Sequence, residues 1–273
     1  MELREIQLKE LELLKKALTI IESHNLNYYM LGGTFLGAIR HKGFIPWDDD
    51  VDIVMPRQDY EKFYEYALEE LKDPFEVKSF WKDITYQQYI IRIINKNITI
   101  ERDDAAMHKT DNLWIDIIPF DGMPNNKLLR SLHKFNLLFH RLLLQYSKIE
   151  TGVNMRKKRT ILEKVLIKFG FAFSKLFKLD TKKRLFAIDN ILKKYDWNSS
   201  EYIINFMAAD GFKEVFPKKW FERTLLFDFE DIKLVGSSEY DKILTQMYGD
   251  YMTPPVQEQR FSHSMRVTEK KYD

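Results

Sequence analysis

Along Leu3–Ser23 the apolar residues Leu11, Leu14, Leu18 and Ile21 recur on one stripe, which predicts an amphipathic helix. His24–Asn27 breaks the pattern, and Tyr28–Leu31 reads as a short strand running into Gly32-Gly33. Thr34–Arg40 has helical composition, which sets Gly33-Thr34 at a helix N-terminus, where free N–H groups favour phosphate. From Val51 the period changes to two: Val51, Ile53 and Met55 alternate with Asp52 and Val54, the signature of a strand. Pro56 and Asp59 punctuate the start of a helix over Tyr60–Leu71. Phe75–Phe80, Tyr89–Ile94 and Asn97–Glu101 read as further strands, the second rich enough in Ile to be buried on both faces. Leu113–Phe120 is apolar except for Asp116.

From Asn126 the pattern turns helical, over Leu128–Tyr146, Lys157–Phe177 and Leu185–Tyr195, with basic residues between Leu and Phe. Mixed composition returns with Val215–Phe221, a strand-like Lys233–Val235 and a helix across Tyr240–Met247. The closing stretch carries Tyr248-Gly249-Asp250-Tyr251, Pro254-Pro255, Arg260 and His263; its prolines fix an extended turn, so it is expected to wrap back onto the body.

Charge sharpens this division. Lys127–Lys194 holds 18 Lys and Arg against 4 acids, net +14, and the remainder 25 against 37, net −12. Such a segment either faces solvent over its own core or suits the surface of an anionic membrane. The chain has 273 residues and 45% apolar composition, enough for one large or two small domains with a true core. Without cysteine there is no disulfide framework and no thiolate metal site. Met1–Glu10 is acidic and amphipathic rather than a leader, and no apolar run approaches about 18 residues. A cytoplasmic protein is expected, peripheral at most on the inner face of the plasma membrane.

The chemistry concentrates in Leu31–Met55. Strand alternation points Asp50 and Asp52 the same way, with Cα atoms roughly 6.6 Å apart, while Val51 and Ile53 enter the core. Two such carboxylates can grip one Mg²⁺, with Mn²⁺ as the alternative, and unpaired they would repel. Asp48 joins them if the extended backbone already starts near Trp47. The D-x-D-x-D spacing fails as a calcium loop, because Ile53 stands where glycine is needed and Asp59 where a bidentate Glu is. The glycines match neither the dinucleotide nor the Walker pattern. Asp116 is costly in an apolar strand unless it is paired, for which Arg92 is a candidate, or faces a metal. Beside Asp50 and Asp52, the metal-facing reading is preferred.

Three stretches, GGTFLGAIRHKGFIPWDDDVDIVMPRQDYEKF, WIDIIPFD and YGDYMTPP with its following Arg and His, resemble the LicD family. That family includes bacterial phosphocholine transferases and is related to fukutin and the fukutin-related protein. The resemblance is dense over about residues 1–122, returns at about 215–263 and is weak between them. It implies membership of the DNA-polymerase-β-like nucleotidyltransferases. Their glycine turn, Asp-x-Asp strand and third Asp would be Gly32-Gly33, Asp50/Asp52 and Asp116. The gap between glycines and aspartates, holding RHKGFIPW, is longer than in compact superfamily members.

The resemblance implies an α+β fold, a nucleotidyltransferase-like mixed sheet flanked by helices. Residues 1–125 would be the catalytic core, 126–200 a basic helical segment, and 201–273 a part packing back on the core. It also implies metal-dependent transfer of a phospho-alcohol, phosphocholine or similar, from a CDP-activated donor to a hydroxyl of a lipid-linked cell-surface glycan (teichoic acid, lipopolysaccharide or capsule precursor), with release of CMP. Asp50, Asp52 and Asp116, with Asp48, would hold the metal, and Asp116 would complete the site or take the acceptor's proton. Gly32, Gly33 and Thr34 would cradle phosphate, and Arg40 and Lys42, or Arg92, would offset charge on the leaving CMP. Two alternatives remain: a nucleotidyltransferase that releases pyrophosphate, and a non-enzymatic binder of membrane or nucleic acid. No nucleic-acid-binding motif is present, so no nucleic-acid partner is expected.

Overall fold

The computed structural model describes residues 3–83, 85–102, 109–148, 179–207, 211–257 and 265–269, with 160, 168, 170, 171 and 260. Most of the expected helix Lys157–Phe177, and His263, lie outside the described residues. Helix α1 (Leu3–Ser23) has the expected bounds, and its buried face is wider than the leucine stripe because Gln7 and Glu10 lie in it. Gly32, at φ +60°, turns the chain from β1 (Tyr29–Met30) into α2 (Gly32–His41). After a loop, β2 (Asp52–Pro56) passes directly into α3 (Arg57–Glu70).

The strands β3 (Phe75–Lys78), β4 (Ile91–Arg102) and β5 (Lys109–Met123) continue the sheet. The segments Tyr89–Ile94 and Asn97–Glu101, expected as two strands, fall in the single strand β4 from Ile91 on, with Tyr89 and Ile90 just before it. The turn-like Asn95-Lys96-Asn97 is a bulge, where the register slips between Asn95 and Thr99 and Asn95 Oδ1 accepts the Asn97 N–H at 3.0 Å. Helix α4 (Lys127–Ser147) is capped by Asn126, which accepts the Leu128 and Leu129 N–H groups, and α5 (Thr181–Leu192) by Asp180. There follow β6 (Tyr202–Ile204), β7 (Val215–Pro217), the hairpin β8 (Thr224–Phe229) and β9 (Ile232–Ser237), α6 (Tyr240–Tyr248) and β10 (Met265–Glu269).

The result is an α+β fold with a mixed sheet of eight strands among the described residues. Its spine runs β1-β2-β5-β4-β10; β3 pairs with β4, and β6 joins β5 to β7. Among the described residues only β2 and β5 run parallel, in the register Asp52↔Asp116 through Pro56↔Phe120. On its other side β5 is antiparallel to β4, which sets Arg92 opposite Asp116. Val51, Ile53, Val54, Met55, Ile115 and Ile117 are buried, so the strands carrying the acids are fixed by core packing on both sides.

A buried ionic cluster joins the helices to this core. Arg57, first residue of α3, grips Asp121 through Nε (2.6 Å) and Nη2 (2.7 Å) and reaches Asp189 of α5 through Nη1 (3.2 Å). The Tyr89 hydroxyl, the Trp81 indole N–H and Lys193 complete the shell of Asp189. Burial opposes the guanidinium charge, but Asp121, Tyr89 and Asp189 more than restore it, and Arg57 is held well above its ordinary pKa. Among the described residues no helix is long and apolar enough to cross a membrane.

Candidate active site

The acidic loop is pinned from three directions. From α1, the Gln7 side-chain amide donates to the carbonyls of Asp48 (2.8 Å) and Ile45 (3.2 Å). The Asp48 N–H closes a turn on Ile45 O at 2.9 Å. From α2, the buried Thr34 hydroxyl accepts the Asp52 N–H at 2.8 Å, fixing where β2 begins. Gly33 is glycine for a spatial reason: a Cβ there would stand 2.6 Å from Asp48 Oδ2. Asp48 therefore lies against the first turn of α2, where the sequence led us to expect phosphate.

Asp48, Asp50 and Asp52 are all partly buried, and Asp49 between them is fully buried. The Asp52 carboxyl is pushed well above the ordinary range, first by burial and then by the charges of Asp50, Asp116, Asp48 and Glu214. Four aspartates thus act on one small volume. Among the described residues no three His, Asp or Glu side chains already form a metal-ligating group. The donor set still suits a hard dication, since every donor is a carboxylate oxygen and the repulsion that lifts Asp52 is what a cation relieves.

Asp116 has both expected neighbours. Its Oδ1 accepts the Arg92 Nε–H at 2.8 Å, and it stands opposite Asp52 across the parallel pair. Arg92 also lies 3.6 Å from Asp111 and packs over the Trp114 ring at 4.0 Å. Burial works against the Arg92 charge; Asp116, Tyr86 and Asp111 outweigh it, and its pKa is raised. Arg92 is therefore Asp116's partner in this structure.

Arg40 and Lys42 have contacts of their own. Arg40 donates from Nη1 to the Tyr251 carbonyl (2.8 Å) and lies 5.7 Å from the Trp47 ring, which Arg260 approaches at 4.5 Å. Burial first, then Arg260, lowers the Arg40 pKa. The closing stretch does wrap back: the Tyr248 hydroxyl comes within 3.8 Å of where a Gly32 Cβ would be. Lys42 is exposed and caps the opposite end of α2 at φ +60°, about 15 Å from Gly32 by helical rise. Its carbonyl accepts the Glu230 N–H at 2.8 Å, while Glu230 also pairs with Arg4 and accepts the Phe44 N–H at 3.1 Å. That hairpin fills the space beside Gly43, where a Cβ would collide with the Glu230 carboxylate.

Two acids near this site escaped the sequence reading. Glu10 is 2% exposed; its Oε2 is buried and has no hydrogen-bond partner among the described residues. Burial first, then Asp50, Asp49, Asp52 and Asp48, drives its pKa well above the carboxylate range. A polar residue in the apolar stripe of α1 was the available signal. Glu214 is also buried, and its Oε2 accepts the Asn205 amide at 2.7 Å.

Residues 25–142 match the family model described as LicD/FKTN/FKRP, nucleotidyltransferase domain. The chain is 31% identical to the lipopolysaccharide cholinephosphotransferase LicD of Haemophilus influenzae over 97% of its own length and 96% of that protein's. It is also 37% identical to the uncharacterized protein RP689 of Rickettsia prowazekii, over 38% of this chain and 35% of that one.

Proposed function

The chain belongs to the LicD family, and from that membership we propose that it transfers phosphocholine, or a similar phospho-alcohol, from a CDP-activated donor to a hydroxyl of a lipopolysaccharide or related cell-surface glycan. A lipid-linked acceptor would bring the protein into peripheral contact with the membrane. The observation that carries the reading is the register of Asp52 with Asp116, in a site where Asp48 and Asp50 add their charge.

In the reaction the acceptor hydroxyl oxygen bonds to the phosphorus that bears the alcohol. The bond from that phosphorus to the oxygen bridging to CMP breaks, and CMP departs with the electron pair. Asp48, Asp50, Asp52 and Asp116 would hold Mg²⁺, which when bound neutralises pyrophosphate charge. Thr34 fixes Asp52 through its N–H, Gln7 fixes the Asp48 backbone, and Arg92 orients Asp116. Asp116, at the edge of this set, would take the proton that the attacking hydroxyl gives up. Arg40 and Arg260, both beside Trp47 at the start of the acidic loop, would offset charge on the departing phosphate.

The test is turnover by the full chain with Mg²⁺ and a panel of CDP-choline, CDP-ethanolamine, CDP-ribitol and CDP-glycerol against lipopolysaccharide acceptors. CMP release coupled to acceptor modification is expected. Pyrophosphate as the product would replace the proposal with nucleotidyl transfer, and no product with any donor would overturn it.

A further inference from the structure

Helix α4 has two apolar faces. The inner one, with buried His133, Leu137 and Leu144, packs with Leu185, Ile188 and Leu192 of α5. The outer one carries Leu128, Leu132, Phe135, Phe139 and Leu142, at steps of four, three, four and three residues that keep them on one line of the helix. Their exposures are 69, 57, 71, 50 and 43%, and Leu129 and Leu138 widen the stripe. Single exposed leucines are ordinary, but a continuous stripe over four turns marks an interaction surface.

Charge identifies the partner. Lys127–Ser147 contains no Asp or Glu, and Lys127, Arg130, Lys134 and Arg141 share one flank by helical position. Three of them lie along the seam with the body, Arg130 over Tyr202 (3.8 Å), Lys134 over Phe212 (5.2 Å) and Arg141 over Phe206 (5.4 Å). An apolar stripe on a helix that carries cations and no acid is the composition of a helix drawn to an anionic lipid interface. A second copy fits less well, since two such helices face to face would bring together cations without acids.

We propose that the outer face of α4 docks the protein on an anionic bilayer, with its Leu and Phe side chains at the acyl boundary and the positive charge of the helix drawing it to lipid phosphates. The inference deepens the proposed function by giving the membrane contact a surface. Because α4 begins four residues after the end of β5, which carries Asp116, docking also fixes the direction in which the acidic site faces.

The test is co-sedimentation of the full chain with vesicles of phosphatidylglycerol and phosphatidylcholine, against phosphatidylcholine alone, over a salt series. Binding to the anionic vesicles that weakens with salt is expected. The double variant Leu132→Ser, Phe135→Ser should reduce it by about tenfold or more, with an unchanged melting temperature because both side chains are already exposed. Lys127→Gln with Lys134→Gln should reduce the salt dependence. Wild-type affinity in the serine variant, or sedimentation with neither vesicle, would overturn the proposal. So would a dimer in sedimentation velocity that the serine variant dissolves without altering vesicle binding. These readouts need no turnover, so failure of the transferase reading would leave them standing.

Discussion

Asp52 and Asp116 stand opposite each other across the one parallel pairing of the described sheet, and among the described residues only Asp116 has a guanidinium of its own. Asp52 sits among Asp48, Asp50 and Asp116, and burial with their charge lifts its pKa well above the ordinary range. Neutralising Asp52 should thus separate function from folding. Asp52→Asn keeps the shape of the side chain and its backbone bond to Thr34 while removing a charge the site repels. Turnover should fall by about a thousandfold or more, the equivalent of some 4 kcal/mol of transition-state stabilisation. The metal-free variant should melt no lower than the wild type, and Mg²⁺ should raise its melting temperature less. Near-wild-type turnover would remove Asp52 from the catalytic group.

Arg92 and Asp116 make a second, distinguishable prediction. Their side chains are 14 and 18% exposed, so the pair is largely shielded and breaking it should be felt in the fold. Arg92→Met leaves Asp116 beside Asp52 without its partner and should cost about 3 kcal/mol in denaturant unfolding. Asp116→Asn keeps a hydrogen-bond acceptor for Arg92, so it should cost less stability and far more turnover. Activity per folded molecule that survives Asp116→Asn would reduce this residue to a structural partner.

Much of this centre was legible in the sequence because a carboxylate inside an apolar strand has few stable fates. Alternation singles out Asp52, and an otherwise apolar strand singles out Asp116 with Arg92 as a candidate partner. The phosphate cradle at Gly33 and Thr34 was read from a helix start, whereas the structure sets Asp48 against Gly33 and gives Thr34 the Asp52 N–H. Local pattern could not reveal that, because it arises from a contact between a helix and a later loop. The strand β6 is three residues long and gives too few positions for a period to register. Glu10 was hidden by the leucines around it.

Arg57 shows the same limit at longer range, since nothing near MPRQDY indicates partners 64 and 132 residues away. Arg57→Met would leave Asp121 and Asp189 as buried acids without their common cation. It should cost about 3–5 kcal/mol in chemical denaturation and loosen α5 from the core. Hydrogen exchange should show the loss of protection in Thr181–Leu192 before the central strands. An exchange pattern unchanged in α5 would refute the idea that this cluster fastens the helix.

Glu10 permits a prediction with a definite sign. Its folded pKa lies well above the ordinary value near 4.5, through burial and the charges of Asp50, Asp49, Asp52 and Asp48. As pH rises past that ordinary value, the unfolded chain releases this proton and the folded chain retains it. The folded state then holds more protons, so Glu10's contribution is complete below the ordinary value and is lost up to the raised pKa. Each unit of separation amounts to about 1.4 kcal/mol. Other groups act in the opposite direction: Glu230, Asp83, Asp228 and Asp231 are lowered by hydrogen bonds, and burial lowers His41 and His140 and holds His133 down to about 4. Comparing Glu10→Gln with the wild type cancels those shared contributions. In EDTA, the variant's stability relative to the wild type should therefore climb as pH goes from about 4.5 to 8, because Gln has no proton to lose. Mg²⁺ should shrink the difference, since a cation among the aspartates eases the field that keeps Glu10 protonated. A stability difference that stays flat across this range would mean that Glu10 ionises in the fold as it does in water.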